Sequence, residues 1–544
     1  MRVLELAYSW PAETFIQRHV RALRQAGVDV LLVARAGIDT RQAGASIGGE
    51  DRRIRALVMP NFDHLGLAGK LASLRHLLAR PKWAVETGPF RDRVLLAFFE
   101  RLKPDLIHFH TASLAAIMRW VPQTLGIPYT VSLRGSDVQV LPLRSEEAAR
   151  ETGFALSEAT MVHAIGQHLV SYVKRWTGGQ VDARVIYNVV PLAPSLPPYQ
   201  HVSNTSLHLL TIGRLHWTKC NSDLIHALGK SRAKGLSIFL SFVGSGPDEE
   251  RLRYWVSRLG LSSRVTFLGR LTWAQIPDLL NRSDAYVHSS IAEGFGNAIA
   301  EAMAWGCPVF ITNACGAREI IRDGENGFLL PALRPEEWPE KLALARDRRL
   351  MERVREAAYE TARQYFAPER HAEEFVAFYE KALRRGAVSP DAEPVSRPNA
   401  QPSAEGASPG GLHLLVRGAW RWENGPDLIL RALAPLCREG KMQITFAGHG
   451  PQEDELRYLA DFMGLGRQVR FNDAMPEGLA GVPWTDADIV LDISEAQQQG
   501  WRVTRDGSLV ACLPFGEVEG LRGGVTASTV GGARGVSEGL ASRE

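Results

Sequence analysis

This sequence offers little to a membrane span, a metal cluster or a disulfide framework. Its 544 residues hold five cysteines, at positions 220, 307, 315, 437 and 512, and none are paired at metal-ligand spacing. That usage excludes a disulfide scaffold and suits a reducing compartment. Cys307 and Cys315 are expected to pack as small apolar residues. No apolar run reaches the roughly eighteen residues that a membrane span requires. Met1 enters a strand-like run rather than a signal peptide, so a cytoplasmic location is expected. No sign of charge dominates either. Lys and Arg number 63 against 60 Asp and Glu, a formal net charge of +3. No global field therefore selects a polyanion, and nucleic acid is not an expected partner. What the chain does have is bulk. At 45% hydrophobic it can bury several cores, and its length suggests three or four domains.

The most informative stretch is Glu293-Gly294-Phe295-Gly296-Asn297-Ala298-Ile299-Ala300-Glu301. Upstream, Tyr286 to Ser290 is strand-like; downstream, Ala298 to Trp305 is small, apolar and helix-forming. A strand, a glycine loop and a helix start present free backbone N–H groups to an anion. The two carboxylates can then accept from hydroxyls on either side of that anion. About eighty residues earlier, the apolar run Leu207 to Ile212 enters Gly213-Arg214, and Lys219 follows before a helix at Asp223 to Leu228. Arginine offers a planar fork of donors and lysine a point charge, a pair suited to a diphosphate. Phe242 to Pro247 and Val265 to Arg270 add two more strand-to-glycine turns. Strands alternating with helices imply a parallel, doubly wound sheet, whose ligands gather beyond the carboxyl ends of the strands.

Together these residues resemble the retaining glycosyltransferases of family 4, over roughly residues 1–385. The resemblance implies an α/β chain of the GT-B fold, two doubly wound Rossmann-like domains facing a cleft. The acceptor side would be 1–195 and the donor side 205–370, with a helix over 371–385 crossing back to the first domain. It also implies transfer of a sugar from a nucleotide-sugar donor to a saccharide or lipid-linked saccharide acceptor in cell-surface polysaccharide synthesis. Glu293 would contact the transferred sugar, Glu301 the ribose, and Arg214 and Lys219 the diphosphate. The amides of Gly294, Phe295, Gly296 and Asn297 would face that diphosphate, and the segment at Gly269-Arg270 would line the base pocket. No cofactor and no metal are expected, because cations supply the countercharge and no Asp-x-Asp stands where it would hold an ion. Two other readings stay open, a sugar-nucleotide epimerase and a sugar-nucleotide-binding scaffold without turnover.

The amino-terminal half reads as strands at Val3–Ala7, Val28–Val33, Asp105–His110 and Tyr129–Leu133. The Glu13-Thr14-Phe15-Ile16 run and the histidine pair His108 and His110 resemble polysaccharide-building members of the family. His108 and His110 are expected on opposite faces of their strand, with His110 the one to reach the cleft as a catalytic candidate. Many relatives carry a histidine where this chain has Arg134. Arg134 would stabilise the leaving phosphate or an acidic acceptor, or else pair with Asp137, and it cannot act as a base. Cys220 stands where relatives have glycine. The basic stretch 66–103, with Trp83, Phe90, Phe98 and Phe99 interleaved, is a candidate for peripheral contact with anionic lipid or simply a solvated face.

Beyond a Pro/Ser/Gly linker at 386–411, the donor-side pattern begins again over 412–514. Leu412 to Leu415 repeats Leu207 to Leu210, Asp427-Leu428-Ile429 repeats Asp223-Leu224-Ile225, and Asp488 falls where Asp284 does, so a degenerate duplication is expected. On that register Ala419 replaces Arg214, Glu423 replaces Lys219, Gln497 replaces Glu293 and Arg505 replaces Glu301. The Gly-, Ser- and Val-rich tail 515–544 is expected to be poorly ordered.

Overall fold

The computed structural model describes residues 1–7, 14–35, 56–59, 90–179, 181–198, 206–314, 316–387, 412–472, 489–493, 501–505 and 508–513. Glu13, Cys315, most of the basic stretch 66–103, the linker from 388 on, Gln497 and the tail lie outside them. The chain divides into two compact units. One comprises Met1–Pro142 and Glu147–Pro398, and the other Leu143–Glu146 and Asn399–Glu544.

The larger unit holds two parallel sheets. The first is built from β1 (Arg2–Ala7), β2 (Asp29–Arg35), β3 (Ala56–Met59), β4 (Leu106–Phe109), β5 (Tyr129–Leu133), β6 (Met161–Ala164) and β7 (Ala183–Val185), in the order β3-β2-β1-β4-β5-β6-β7. The second uses β8 (Leu207–Ile212), β9 (Ile238–Val243), β10 (Val265–Phe267), β11 (Ala285–His288), β12 (Val309–Thr312) and β13 (Phe328–Leu330), in the order β10-β9-β8-β11-β12-β13. This is the α/β, two-domain GT-B architecture. Helices on both faces bury the strands, so β4, β5, β6, β11 and β12 are buried at every position, their mostly apolar sequences admitting a few buried His, Ser and Thr. Each sheet reverses its order beside its first strand, between β1 and β4 and between β8 and β11. Diverging loops at those points open a crevice at the carboxyl ends.

The helix Pro368–Arg385 opens with proline at its first position, where the missing N–H costs nothing. Its Phe375, Phe378, Tyr379 and Ala382 pack into the core of the first sheet with Val3, Leu32, Leu106 and Met161. Arg385 bonds Asp182 at 2.8 Å and Lys381 joins the same carboxylate.

The smaller unit carries a third sheet. Its strands are β14 (Leu412–Arg417), β15 (Met442–Ala447), β16 (Val469–Asn472), β17 (Ile489–Asp492), β18 (Trp501–Arg505) and β19 (Ser508–Leu513), in the order β16-β15-β14-β17-β18-β19. Through β17 the strands are parallel and follow the order of the second sheet. There the likeness ends. β18 and β19 pair antiparallel, where β12 and β13 are parallel.

Element by element, the expected register between 412–514 and the second sheet differs from the one the strands and helices follow. The 3₁₀ turn Trp422–Asn424, the left-handed Gly425 and the helix Pro426–Arg438 match the turn Trp217–Lys219, the left-handed Cys220 and the helix Asn221–Ala233. The one-residue gap therefore falls after the helix, and the counterpart of Lys219 is the neutral Asn424, not Glu423. Trp420 takes the place of Leu215 and is fully buried. Arg417 and Asp492 pair at 2.8 Å at the ends of β14 and β17.

Glycines close the turns that follow these strands. Gly244 sits at φ +135°, and a Cβ there would lie 1.8 Å from the carbonyl oxygen of Gly213. Gly244→Ala must displace backbone rather than a flexible side chain. It is expected to cost ~3 kcal/mol of stability, read as a fall in the melting temperature of the full chain.

Candidate active site at the second switch point

The crevice between β8 and β11 collects the charged residues. β8 runs into Gly213 and an exposed Arg214, then through the turn Trp217–Lys219 to the helix Asn221–Ala233. Cys220 caps that turn at φ 45°, ψ 37°. This is the left-handed region that costs a side chain and favours glycine, which explains why glycine suits the position elsewhere. The turn is fastened to the next strand by Ser289 Oγ and Ser290 Oγ, which donate to the carbonyls of Lys219 and Thr218, both at 2.7 Å. Lys219 Nζ is thereby brought onto Glu293 Oε2 in an ion pair. His288 Nε2 lies 3.3 Å from the same oxygen. Burial pushes the Glu293 carboxyl up, but Lys219 and His288 outweigh it and hold it down to about 2. A small, open pocket lies beside this pair, lined by Gly213, Leu215, Lys219, Asn221 and His288 among others.

The loop after Glu293 is anchored from both domains. Phe295 is fully buried, with ring centroids 5.1 Å from Tyr187 and 5.4 Å from Phe366. Gly294 packs against backbone of the first domain. A Cβ there would stand 2.2 Å from the carbonyl oxygen of Arg134. Gly296 turns at φ +97° into the helix Asn297–Ala304. Asn297 accepts from Asn188 Nδ2 at 2.8 Å.

His108 and His110 do not face opposite ways. Residues two apart on a strand share a face, and the two ring centroids are 5.1 Å apart. Both rings are buried with Glu5. His110 Nε2 faces Glu5 Oε2 at 2.9 Å, and His110 Nδ1 accepts from Arg134 Nη2 at 3.0 Å. Arg134 Nη1 continues to Asn188 Oδ1 at 2.9 Å, and its Cζ lies 4.6 Å from the ring centroid of Phe15. Asp137 accepts from the backbone N of Arg134 and Gly135 at 3.0 and 2.9 Å. Glu5, Tyr379, His110, Arg134, Asn188 and Asn297 thus form one polar chain from the first core to the helix Asn297–Ala304, with Tyr379 donating to Glu5 Oε1 at 2.7 Å. Burial lowers His110 to about 4, so its ring is neutral at neutral pH.

Glu5, His108 and His110 also bring three potential metal-ligand atoms within 4.8 Å. Both nitrogens of His108 are engaged by Thr130 and Ser132 hydroxyls, at 2.7 and 2.8 Å, and a guanidinium stands alongside. That donor set suits a hydrogen-bond network better than a cation.

Glu301 accepts from Arg18 Nη1 at 2.5 Å. Burial pushes its carboxyl up, and Arg18 offsets that only in part. Arg270 is exposed and donates to Ser245 Oγ at 2.8 Å. Arg18, His288, Asn188 and Glu5 went unmarked in the sequence. His288 alone carried a signal, as the last residue of the strand that feeds the loop.

Because its folded value lies below the ordinary 4.5, Glu293 contributes stability that is complete above about pH 4.5 and is lost as pH falls toward 2. Glu293→Gln is therefore expected to destabilise the chain by about 2 kcal/mol at pH 7. The deficit should shrink between pH 4.5 and the lowest pH at which urea unfolding remains reversible. A gap that does not change with pH would count against the Lys219–Glu293 pair.

Residues 200–361 match the model described as "Glycosyl transferases group 1", and residues 12–189 match "Glycosyl transferase 4-like domain". N-acetyl-alpha-D-glucosaminyl L-malate synthase of Bacillus anthracis is 25% identical over 297 residues, which is 52% of this chain and 77% of that protein. The putative teichuronic acid biosynthesis glycosyltransferase TuaC of Bacillus subtilis (strain 168) is 27% identical over 273 residues, 46% of this chain and 64% of its own. Anabaena Alr3699/HepE, solved in complex with UDP and glucose, shares the fold at a TM-score of 0.53 and 21% identity, covering 70% of this chain and 99% of that one. The chain is a glycosyltransferase of the GT-B fold, with a group 1 glycosyltransferase domain preceded by a glycosyltransferase 4-like domain.

Proposed function

We propose that the chain transfers a sugar from a nucleoside-diphosphate sugar, with retention of anomeric configuration, to a saccharide or lipid-linked saccharide acceptor in polysaccharide synthesis. The observation that carries this reading is the meeting of Lys219 and Glu293 at the β8–β11 switch point, beside the start of the helix Asn297–Ala304. A diphosphate entering that crevice offers Lys219 an anion of higher charge, freeing Glu293 to accept from sugar hydroxyls. Arg214, exposed at the mouth and without an ion pair among the described residues, would take the other phosphate. Negative charge grows on the departing diphosphate as the glycosidic bond breaks, so preorganised cations act on the transition state more than on the ground state. Arg134 approaches from the acceptor side on its polar chain, as a fixed cation rather than a base. The UDP and glucose held by HepE support a nucleotide-sugar donor, and the name of TuaC supports a cell-surface polymer as product.

We further propose that the third sheet is a duplicate of the donor-side sheet that has lost its site. In support, Asn424 stands for Lys219, buried Trp420 for Leu215 and the Arg417–Asp492 pair for Ile212 and His288. The chain should then bind one nucleotide, not two.

A melting-point screen of the full chain against UDP-, GDP- and ADP-sugars tests the donor site, with a rise expected for one class and none in Lys219→Ala. No shift with any of them would remove the support for this reading. With the donor known, Glu293→Gln should lower kcat/KM by about 100-fold or more, and the product anomer read by NMR should match the donor. Calorimetric titration should give one site per chain.

A further inference from the structure

The helix Thr14–Gln25 belongs to the first domain, yet its Arg18 reaches across to the donor side. Nη1 lies 2.5 Å from Glu301 Oε1, and the two side chains are only 12% and 13% exposed. The same guanidinium rests over Trp273, with Cζ 4.9 Å from the ring centroid. Trp273 opens the short turn Trp273–Gln275 that follows Gly269-Arg270. Three elements from two domains therefore meet at the Arg18 guanidinium.

We propose that Arg18 gates the nucleoside end of the donor site by holding Glu301, so that a ribose diol binds only by displacing it. This rests on the reading of Glu301 as the ribose acceptor. An ionised carboxylate only accepts hydrogen bonds, and a ribose diol has two hydroxyls to donate. Arg18 already engages one of the two oxygens, in a charge-assisted bond shielded from solvent. A guanidinium does not deprotonate in proteins, so a change of pH cannot open this contact from the Arg18 side. Competition can. The released guanidinium still has the Trp273 face to rest on, which keeps the displacement small in energy and reversible. Arg18 therefore sets the affinity for donor, and it couples donor binding to the contact between the two domains.

The test is calorimetric binding to the full chain at pH 8, chosen to favour the ionised carboxylate because burial pushes the Glu301 carboxyl up. UDP, GDP and ADP are titrated into wild type, and the tightest of them is carried into Arg18→Gln, Glu301→Gln and the double variant. Arg18→Gln should bind about five- to tenfold tighter, the factor expected for a partly buried ion pair. Glu301→Gln should bind more weakly, and the double variant should match it, because Arg18 acts through Glu301. Unchanged or weaker binding by Arg18→Gln, with Glu301→Gln still impaired, overturns the gate and leaves the site reading standing. Binding that Glu301→Gln leaves intact overturns the ribose assignment, and the gate with it.

Discussion

The close approach of Gly294 to the backbone of the first domain is the contact on which the site depends. There is no room at this position for even one carbon beyond Cα, since an added Cβ would lie 2.2 Å from the carbonyl oxygen of Arg134. A Cβ on Gly316 would be just as near the carbonyl oxygen of Gly294 itself. Because both neighbours are backbone, neither can swing aside. The loop from Glu293 to Asn297 is therefore clamped between the two domains. Glu293 on one flank and the helix bearing Glu301 on the other take their positions from that clamp.

Around it the charges are arranged in opposed pairs. Lys219 meets Glu293 and Arg18 meets Glu301, so each carboxylate of the motif is held by one cation in a partly buried setting. The two differ in balance: Lys219 and His288 outweigh burial at Glu293, whereas burial outweighs Arg18 at Glu301. Both pairs also fix where their carboxylates stand. Arg134 is held differently. It is fixed by His110, Asn188 and the face of Phe15, a setting that leaves it a permanent charge in a permanent place. The third sheet is the counter-example within the same chain. It keeps the strand order up to β17, but its crevice holds a buried tryptophan, an asparagine and an internal Arg417–Asp492 pair.

Much of this was legible in the residues. The alternation of mostly apolar runs with glycine turns announced parallel sheets, because strands covered on both faces are apolar at nearly every position. Glu293, Glu301, Arg214 and Lys219 stood out by type and spacing along short segments. The errors fell where a rule depended on geometry or on three-dimensional register. His108 and His110 were expected on opposite faces, although a spacing of two returns to the same one. The repeat was aligned on a matching Asp-Leu-Ile triplet, which moved its gap ahead of the helix and assigned Glu423 the place that Asn424 holds.

What the sequence determined by itself is local: which segments are strands, which turns need glycine, and which residues bring charge to the carboxyl ends of β8 and β11. What only the tertiary structure decided is long-range. Arg18 and Glu301 are separated by 283 positions, and Tyr379 and Glu5 by 374. No periodicity or motif spans such distances. Their contacts arise because two sheets and a returning helix pack their cores first, and the side chains at the margins then meet whatever the packing brings opposite.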